Sequence, residues 1–126
     1  MKSLMKCALL AAGMIAAVGC GNSTNSTNPS TPSPTTPAAV SVSIVSGARL
    51  LTTTAYNPNP ITVARGGTVT WTNNDTITHT ATSDGGAFDS GNMAPGASFS
   101  MTFPTAGTST YHCTLHPGMI GTVNVQ

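Results

Sequence analysis

Charge is what this sequence lacks most. Only 6% of its 126 residues are charged, against the ~25% usual for soluble domains. Lys2, Lys6, Arg49 and Arg65 face Asp75, Asp84 and Asp89, for a formal net charge of +1. Without the two lysines of the first six residues, two arginines meet three aspartates, a net of −1. No basic stripe is left for nucleic acid, so that class of partner is excluded. No acidic field is strong enough to steer a basic partner. Three cysteines, Cys7, Cys20 and Cys113, have no evident disulfide pairing among them. An exported small domain without such a bond needs another staple or a good β core. No stretch beyond the N-terminus carries helical periodicity, which argues against an α-helical domain. The length suits one domain and not two.

What is present begins with an apolar leader. Residues 1–20 place Lys2 and Lys6 ahead of an apolar run from Cys7 to Val18, the pattern of a secretory signal and short for a membrane span. The run ends Ala17-Val18-Gly19-Cys20. This resembles the bacterial lipobox, although Ala17 stands where leucine is commoner. The expectation is an exported, periplasmic or cell-surface protein anchored to a membrane by lipid on Cys20. Ordinary cleavage near the same place, leaving Cys20 a spare thiol, is the alternative. Residues 21–39 are rich in Ser, Thr, Pro and Asn, with no charge, aromatic or large aliphatic side chain. Such a segment buries no core and reads as a semi-extended tether.

From residue 40 onward the pattern changes to period two. Val40, Val42 and Ile44 alternate with serines, as in a half-buried strand. Further runs hold Ile61 and Val63; Val69 and Trp71; His79 and Ala81; and Phe99, Met101 and Phe103. The last two cover Thr108–Cys113 and Gly121–Val125. Turn signals rich in Gly, Pro, Asn and Asp separate them. About seven or eight short strands predict an all-β fold, a small β-sandwich spanning 40–126. Trp71, the sole tryptophan, is assigned to its core.

The densest chemistry lies in Tyr111-His112-Cys113-Thr114-Leu115-His116-Pro117-Gly118-Met119. A thiol, an imidazole and a thioether recur at three-residue intervals. Pro117 and Gly118 predict a turn after His116, so that one tight loop brings the three side chains together. A further imidazole, His79, is placed on a separate strand. His112 neighbours Cys113 on a strand, points to the opposite face and is expected to bind nothing. Two imidazoles and a thiolate in a plane, with a distant thioether, describe a blue-copper site. Soft sulfur suits Cu(I) and imidazole suits Cu(II), a compromise that favours electron transfer over substrate turnover. Each residue also has a plainer reading. A lone cysteine in a β domain is commonly a small buried hydrophobe, a lone histidine a hydrogen-bonded strand residue, and a lone methionine core packing.

The runs NPNPITVARGGTVTWTNNDTITHT and FDSGNMAPGASFSMTFPTAGTSTYHCTLHPGMIGTVNV resemble the cupredoxin family, its plastocyanin and amicyanin branch in particular. The Cys-x2-His-x2-Met spacing is the short, amicyanin-like form. The resemblance implies a Greek-key sandwich. It makes His79, Cys113 and His116 equatorial ligands of one copper ion and Met119 the axial ligand. It implies that the N–H of Thr80 bonds the Cys113 sulfur and that Thr114 ties the two ligand loops together. It implies electron transfer between redox proteins, donor and acceptor unidentified, by a monomer. Docking is expected at an apolar patch around His116 formed by Leu115, Pro117, Gly118, Met93 and Pro95. A closed site with no general base beside a nucleophile predicts no enzyme activity. The competing readings are a copper carrier that exchanges its metal readily and a metal-free binding module on the same sandwich. Zinc is a foreseeable contaminant of such a donor set.

Overall fold

The computed structural model describes residues 35–126. The leader, Cys20 and the tether up to residue 34 lie outside the described residues. Eight strands follow in chain order: β1 (Ala39–Ile44), β2 (Tyr56–Asn57), β3 (Ile61–Val63), β4 (Gly67–Asn73), β5 (Thr82–Ser83), β6 (Ser98–Phe103), β7 (Gly107–Cys113) and β8 (His116–Val125). They form two four-stranded sheets, in the orders β2-β1-β4-β6 and β3-β8-β7-β5. The chain passes repeatedly from one sheet to the other, and β1/β4 and β3/β8 pair in parallel. This is the predicted β-sandwich, and the only helical piece among the described residues is a 3-10 turn at Ala48–Leu50.

Alternation of side chains explains why these segments are strands. Along β4, Gly67, Val69, Trp71 and Asn73 are buried while the intervening threonines are half-exposed. Along β8, Met119, Gly121, Val123 and Val125 face inward. Branched and aromatic residues on a pleated, half-buried surface are what a sheet accommodates best. Trp71 is fully buried as expected. It stacks on Phe88 at 5.0 Å between centroids and meets Tyr111 edge-on at 5.5 Å. Tyr111 in turn meets Tyr56 edge-on at 4.8 Å. Such pairs contribute about 0.5–1.5 kcal/mol each beyond the area they bury. Burial pushes the Tyr111 phenol up to about 12.

Gly121 makes this arrangement possible. A Cβ there would lie 2.2 Å from Cζ of Tyr111, so only a hydrogen fits beneath the ring. On the outer face of the other sheet, hydroxyls pair across strands: Thr68 with Thr102 at 3.0 Å, Thr70 with Ser100 at 2.7 Å and Thr72 with Ser98 at 2.8 Å.

The sandwich has two unlike ends. At one, β3 runs into β4 and β6 into β7, sealed by Gly66 N–H to Phe103 C=O at 2.7 Å. At the other end β1, β4 and β7 finish, and β6 and β8 begin. The connections 45–55, 74–81, 84–97 and 114–115 all include residues at that second end, where His79 lies in a connection, Cys113 at the end of β7 and His116 at the start of β8.

Candidate metal centre

The first histidine is delivered by a braced loop. Asn73, fully buried at the end of β4, donates from Nδ2 to the carbonyls of Ile77 at 2.7 Å and Met93 at 2.9 Å. Its Oδ1 accepts the N–H of Asp75 at 2.9 Å. A buried side-chain amide with these bonds satisfied fixes the loop that follows. His79 then exchanges backbone hydrogen bonds with Met93, at 3.1 and 2.8 Å. That contact is an isolated bridge and not part of a regular strand, which corrects the expected strand placement of His79.

The second cluster comes from one hairpin. Cys113 closes β7 and His116 opens β8, and the two pair with each other across a turn at Thr114–Leu115. This reversal before His116 was not expected. The expected break after His116 is a bulge within β8: pairing passes from Cys113–His116 directly to His112–Ile120, so Pro117, Gly118 and Met119 have no partners on β7.

Three donors converge. Cys113 Sγ is 3.7 Å from His79 Nδ1 and 3.6 Å from His116 Nδ1, and the three ligand atoms lie within 4.8 Å of one another. The two imidazole rings stand 4.9 Å apart at 55°. Cys113 and His79 are fully buried, whereas His116 is half-exposed. Metal bonds roughly 2.0–2.3 Å long, opened to about 120°, hold their donor atoms roughly 3.6–3.8 Å apart. The two sulfur–nitrogen separations match donors that share a single ion, and a thiolate with two imidazoles is the donor chemistry of copper. Met119, three residues beyond His116, is fully buried on the inner face of β8. His112 points away, as expected, and pairs through Nδ1 with Asp84 Oδ1 at 2.5 Å.

The predicted bonds around the thiol are present. Thr80 N–H donates to Cys113 Sγ at 3.3 Å. Thr114 N–H donates to Thr80 Oγ1 at 2.9 Å, and the two hydroxyls lie 3.2 Å apart. Tyr56 O–H donates to the Thr80 carbonyl at 2.6 Å, so the core aromatics also hold this residue. Burial, helped by the nearby Cys113, keeps the Tyr56 phenol protonated.

Asp75 is the residue that the sequence reading missed. Its Oδ2 accepts from His79 Nε2 at 2.9 Å, almost without exposure to water. The same carboxylate accepts the N–H groups of Gly47 and Ala48 at 3.1 and 3.2 Å, where Gly47 turns with φ of +74°. The His79 bond above all, with the backbone donors of Gly47 and Thr76, holds Asp75 well below the usual carboxylate range despite its burial. Nε2 of His79 is thus engaged as a donor, which leaves Nδ1 with its lone pair facing the thiol. The available signal was Asp75 four places before His79, inside a stretch read only as turn residues. Replacing Asp75 with Ala is expected to weaken metal binding about 10–100-fold, as lost supports of ligating histidines do. Competition with a graded chelator measures this.

The expected apolar rim is partly corrected. Leu115 is 49% exposed, and Pro117, Gly118 and Pro95 are exposed. Met93 is buried, at 2%, because its backbone pairs with His79 and its side chain joins the core. Leu50, 81% exposed, sits on the 3-10 turn whose Ala48 N–H bonds Asp75.

Residues 40–126 match the copper binding proteins of the plastocyanin/azurin family. The chain is 38% identical to plastocyanin from Scenedesmus fuscus over 84 residues, which covers 56% of this chain and 86% of that protein. A purple cupredoxin from Nitrosopumilus maritimus superposes with a TM-score of 0.64 at 31% identity, over 69% of this chain and 99% of the other. An amicyanin mutant in its reduced Cu(I) form superposes with a TM-score of 0.58 at 30% identity, over 75% and 95%. Sandwich, converging donors and sequence match agree, and the chain belongs to the plastocyanin/azurin family of copper-binding proteins.

Proposed function

We propose that this protein is a mononuclear blue-copper electron carrier, with His79, Cys113 and His116 as equatorial ligands and Met119 as the axial one. The observation that carries the reading is the meeting of His79 Nδ1, Cys113 Sγ and His116 Nδ1 within 4.8 Å. When bound, copper supplies a one-electron Cu(I)/Cu(II) couple. The polypeptide contributes rigidity. Asp75 and the Met93 bridge fix His79, the Thr114–Leu115 turn fixes Cys113 against His116, and the Thr80 N–H bonds the sulfur. Ligands held this way change little between oxidation states, so little reorganisation accompanies each transfer. Loading the full chain should give one Cu(II) per molecule, an intense blue band and narrow copper hyperfine splitting in its electron paramagnetic resonance. Weak, ordinary Cu(II) signals would return the protein to the metal-free reading.

Electrons are proposed to pass through His116, the half-exposed ligand, at the rim formed by Leu115, Pro117, Gly118 and Pro95. Charges are scarce, so encounters with redox partners are brief and mainly apolar. Leu115→Asp should slow transfer to a partner severalfold and leave the colour unchanged. Stopped-flow oxidation at two ionic strengths checks both this and the weak salt dependence expected of the parent. Residues 1–20 are proposed as the export signal, Cys20 as the lipid attachment point and the tether up to residue 36 as a spacer; its last residues join the sandwich, with Ala39 in β1 and the Pro37 and Ala38 carbonyls accepting from Ala64 and Thr68. The mass of the mature chain from a membrane fraction tests the lipid.

A further inference from the structure

A chain of hydroxyls leads from the protein surface to the residue that bonds the Cys113 sulfur. Asp89 is exposed, and its Oδ1 lies 3.0 Å from Thr82 Oγ1. Thr82 Oγ1 lies 3.1 Å from Thr80 Oγ1, which lies 3.2 Å from Thr114 Oγ1. The segment is pinned in place. Asp89 Oδ1 also accepts Gly91 N–H at 2.9 Å, Thr82 and Asp89 form a bridge, and Ala81 N–H donates to Ser90 Oγ at 2.8 Å.

Counting protons shows that this chain has two states. A threonine hydroxyl has one proton and two lone pairs. Thr82 therefore has one proton for two acceptors, Asp89 Oδ1 and Thr80 Oγ1. An ionised carboxylate is much the stronger acceptor, so the proton goes to Asp89. Thr80 Oγ1 then accepts the Thr114 N–H and keeps a lone pair for the Thr114 O–H. With no acceptor at position 89, the Thr82 proton turns to Thr80. Both lone pairs of Thr80 Oγ1 are then filled, and its own proton must point to Thr114 Oγ1. The hydroxyl bond between Thr80 and Thr114 reverses. These two residues directly follow His79 and Cys113, so the reversed dipole sits beside the sulfur.

We propose that Asp89 is a positioning residue for the metal centre: through Thr82 it sets the direction of the Thr80–Thr114 hydrogen bond and so tunes the reduction potential. The inference deepens the copper reading and rests on it for the potential. The hydrogen-bond switch itself needs no metal.

The test is a double-mutant cycle on the full chain, comparing the parent, Asp89→Ala, which removes the acceptor, Thr82→Val and the double variant. Thr82→Val keeps the branched strand residue and removes only the hydroxyl. Without copper, the amide resonances of Thr80 and Thr114 should move in Asp89→Ala when Thr82 is present and stay put when it is replaced. With copper, Asp89→Ala should shift the potential by unequal amounts in the two backgrounds. Thr82→Ser, which restores the hydroxyl, should restore the difference. Equal potential shifts in both backgrounds, with unmoved amides, would mean that Asp89 acts through space alone and would overturn the proposal. Absence of a blue band with the amide coupling intact would overturn the copper reading and leave the switch standing.

Discussion

Copper-loaded Cys113→Ser should have no intense visible band. A serine hydroxyl does not ionise near neutral pH, so it provides no thiolate to donate charge to Cu(II). The fold should persist, because Ser at position 113 is slightly smaller and still accepts the Thr80 N–H that now reaches Sγ at 3.3 Å. Absorption, electron paramagnetic resonance and far-ultraviolet circular dichroism of the parent and variant separate loss of the ligand from loss of the fold. Complete loss of the band with an unchanged fold assigns the colour to Cys113. A surviving blue band would remove Cys113 from the ligand set, and with it the site as proposed.

The second large effect is on stability and comes from a single methyl group. Gly121→Ala would put a Cβ 2.2 Å from Cζ and 2.5 Å from the phenol oxygen of Tyr111. The ring has nowhere to go, since it is fully buried between Trp71 and Tyr56. Overpacking of this kind costs about 3 kcal/mol, which lowers Tm by about 10–20 °C for a domain of this size. Thermal unfolding of the metal-free protein measures it directly. Combining Gly121→Ala with Tyr111→Leu should recover part of the loss by vacating the space. An unchanged Tm in the single variant would mean that the Tyr111 ring is not locked over β8. The consequences should also reach the metal centre, because Tyr111 packs on Tyr56, which bonds the Thr80 carbonyl.

Much of this architecture was legible in period-two patterns. The inward sets of β1, β4 and β8 follow from alternating side chains, and Trp71 had no other place to go. The Cys113, His116 and Met119 spacing was equally readable, since one short hairpin is enough to gather its first two members. Long-range relations were not. Pro117 and Gly118, strong local punctuators, do break the pairing of β8, whereas the reversal at Thr114–Leu115 has no such residues and follows only from the meeting of Cys113 and His116. Met93 was assigned to the rim on proximity to the site, whereas its pairing with His79 across the end of the sandwich buries it. Asp75 had no local signature at all. A buried carboxylate gains meaning only from what surrounds it, here His79 and two amides nearly thirty residues away. The Asp89 chain is of the same kind, as its four side chains come from strand β5 and three separate connections.

The serine and threonine ladders across β4 and β6 also have a kinetic consequence. Their hydroxyls are paired with one another across the strands, and none of the six residues carries charge. A redox partner arriving on that flank finds neither an ion to hold it nor an oily surface to settle on. Misdirected collisions there should end quickly, leaving the partner free to search for the end of the sandwich with the half-exposed His116, the proposed point of transfer.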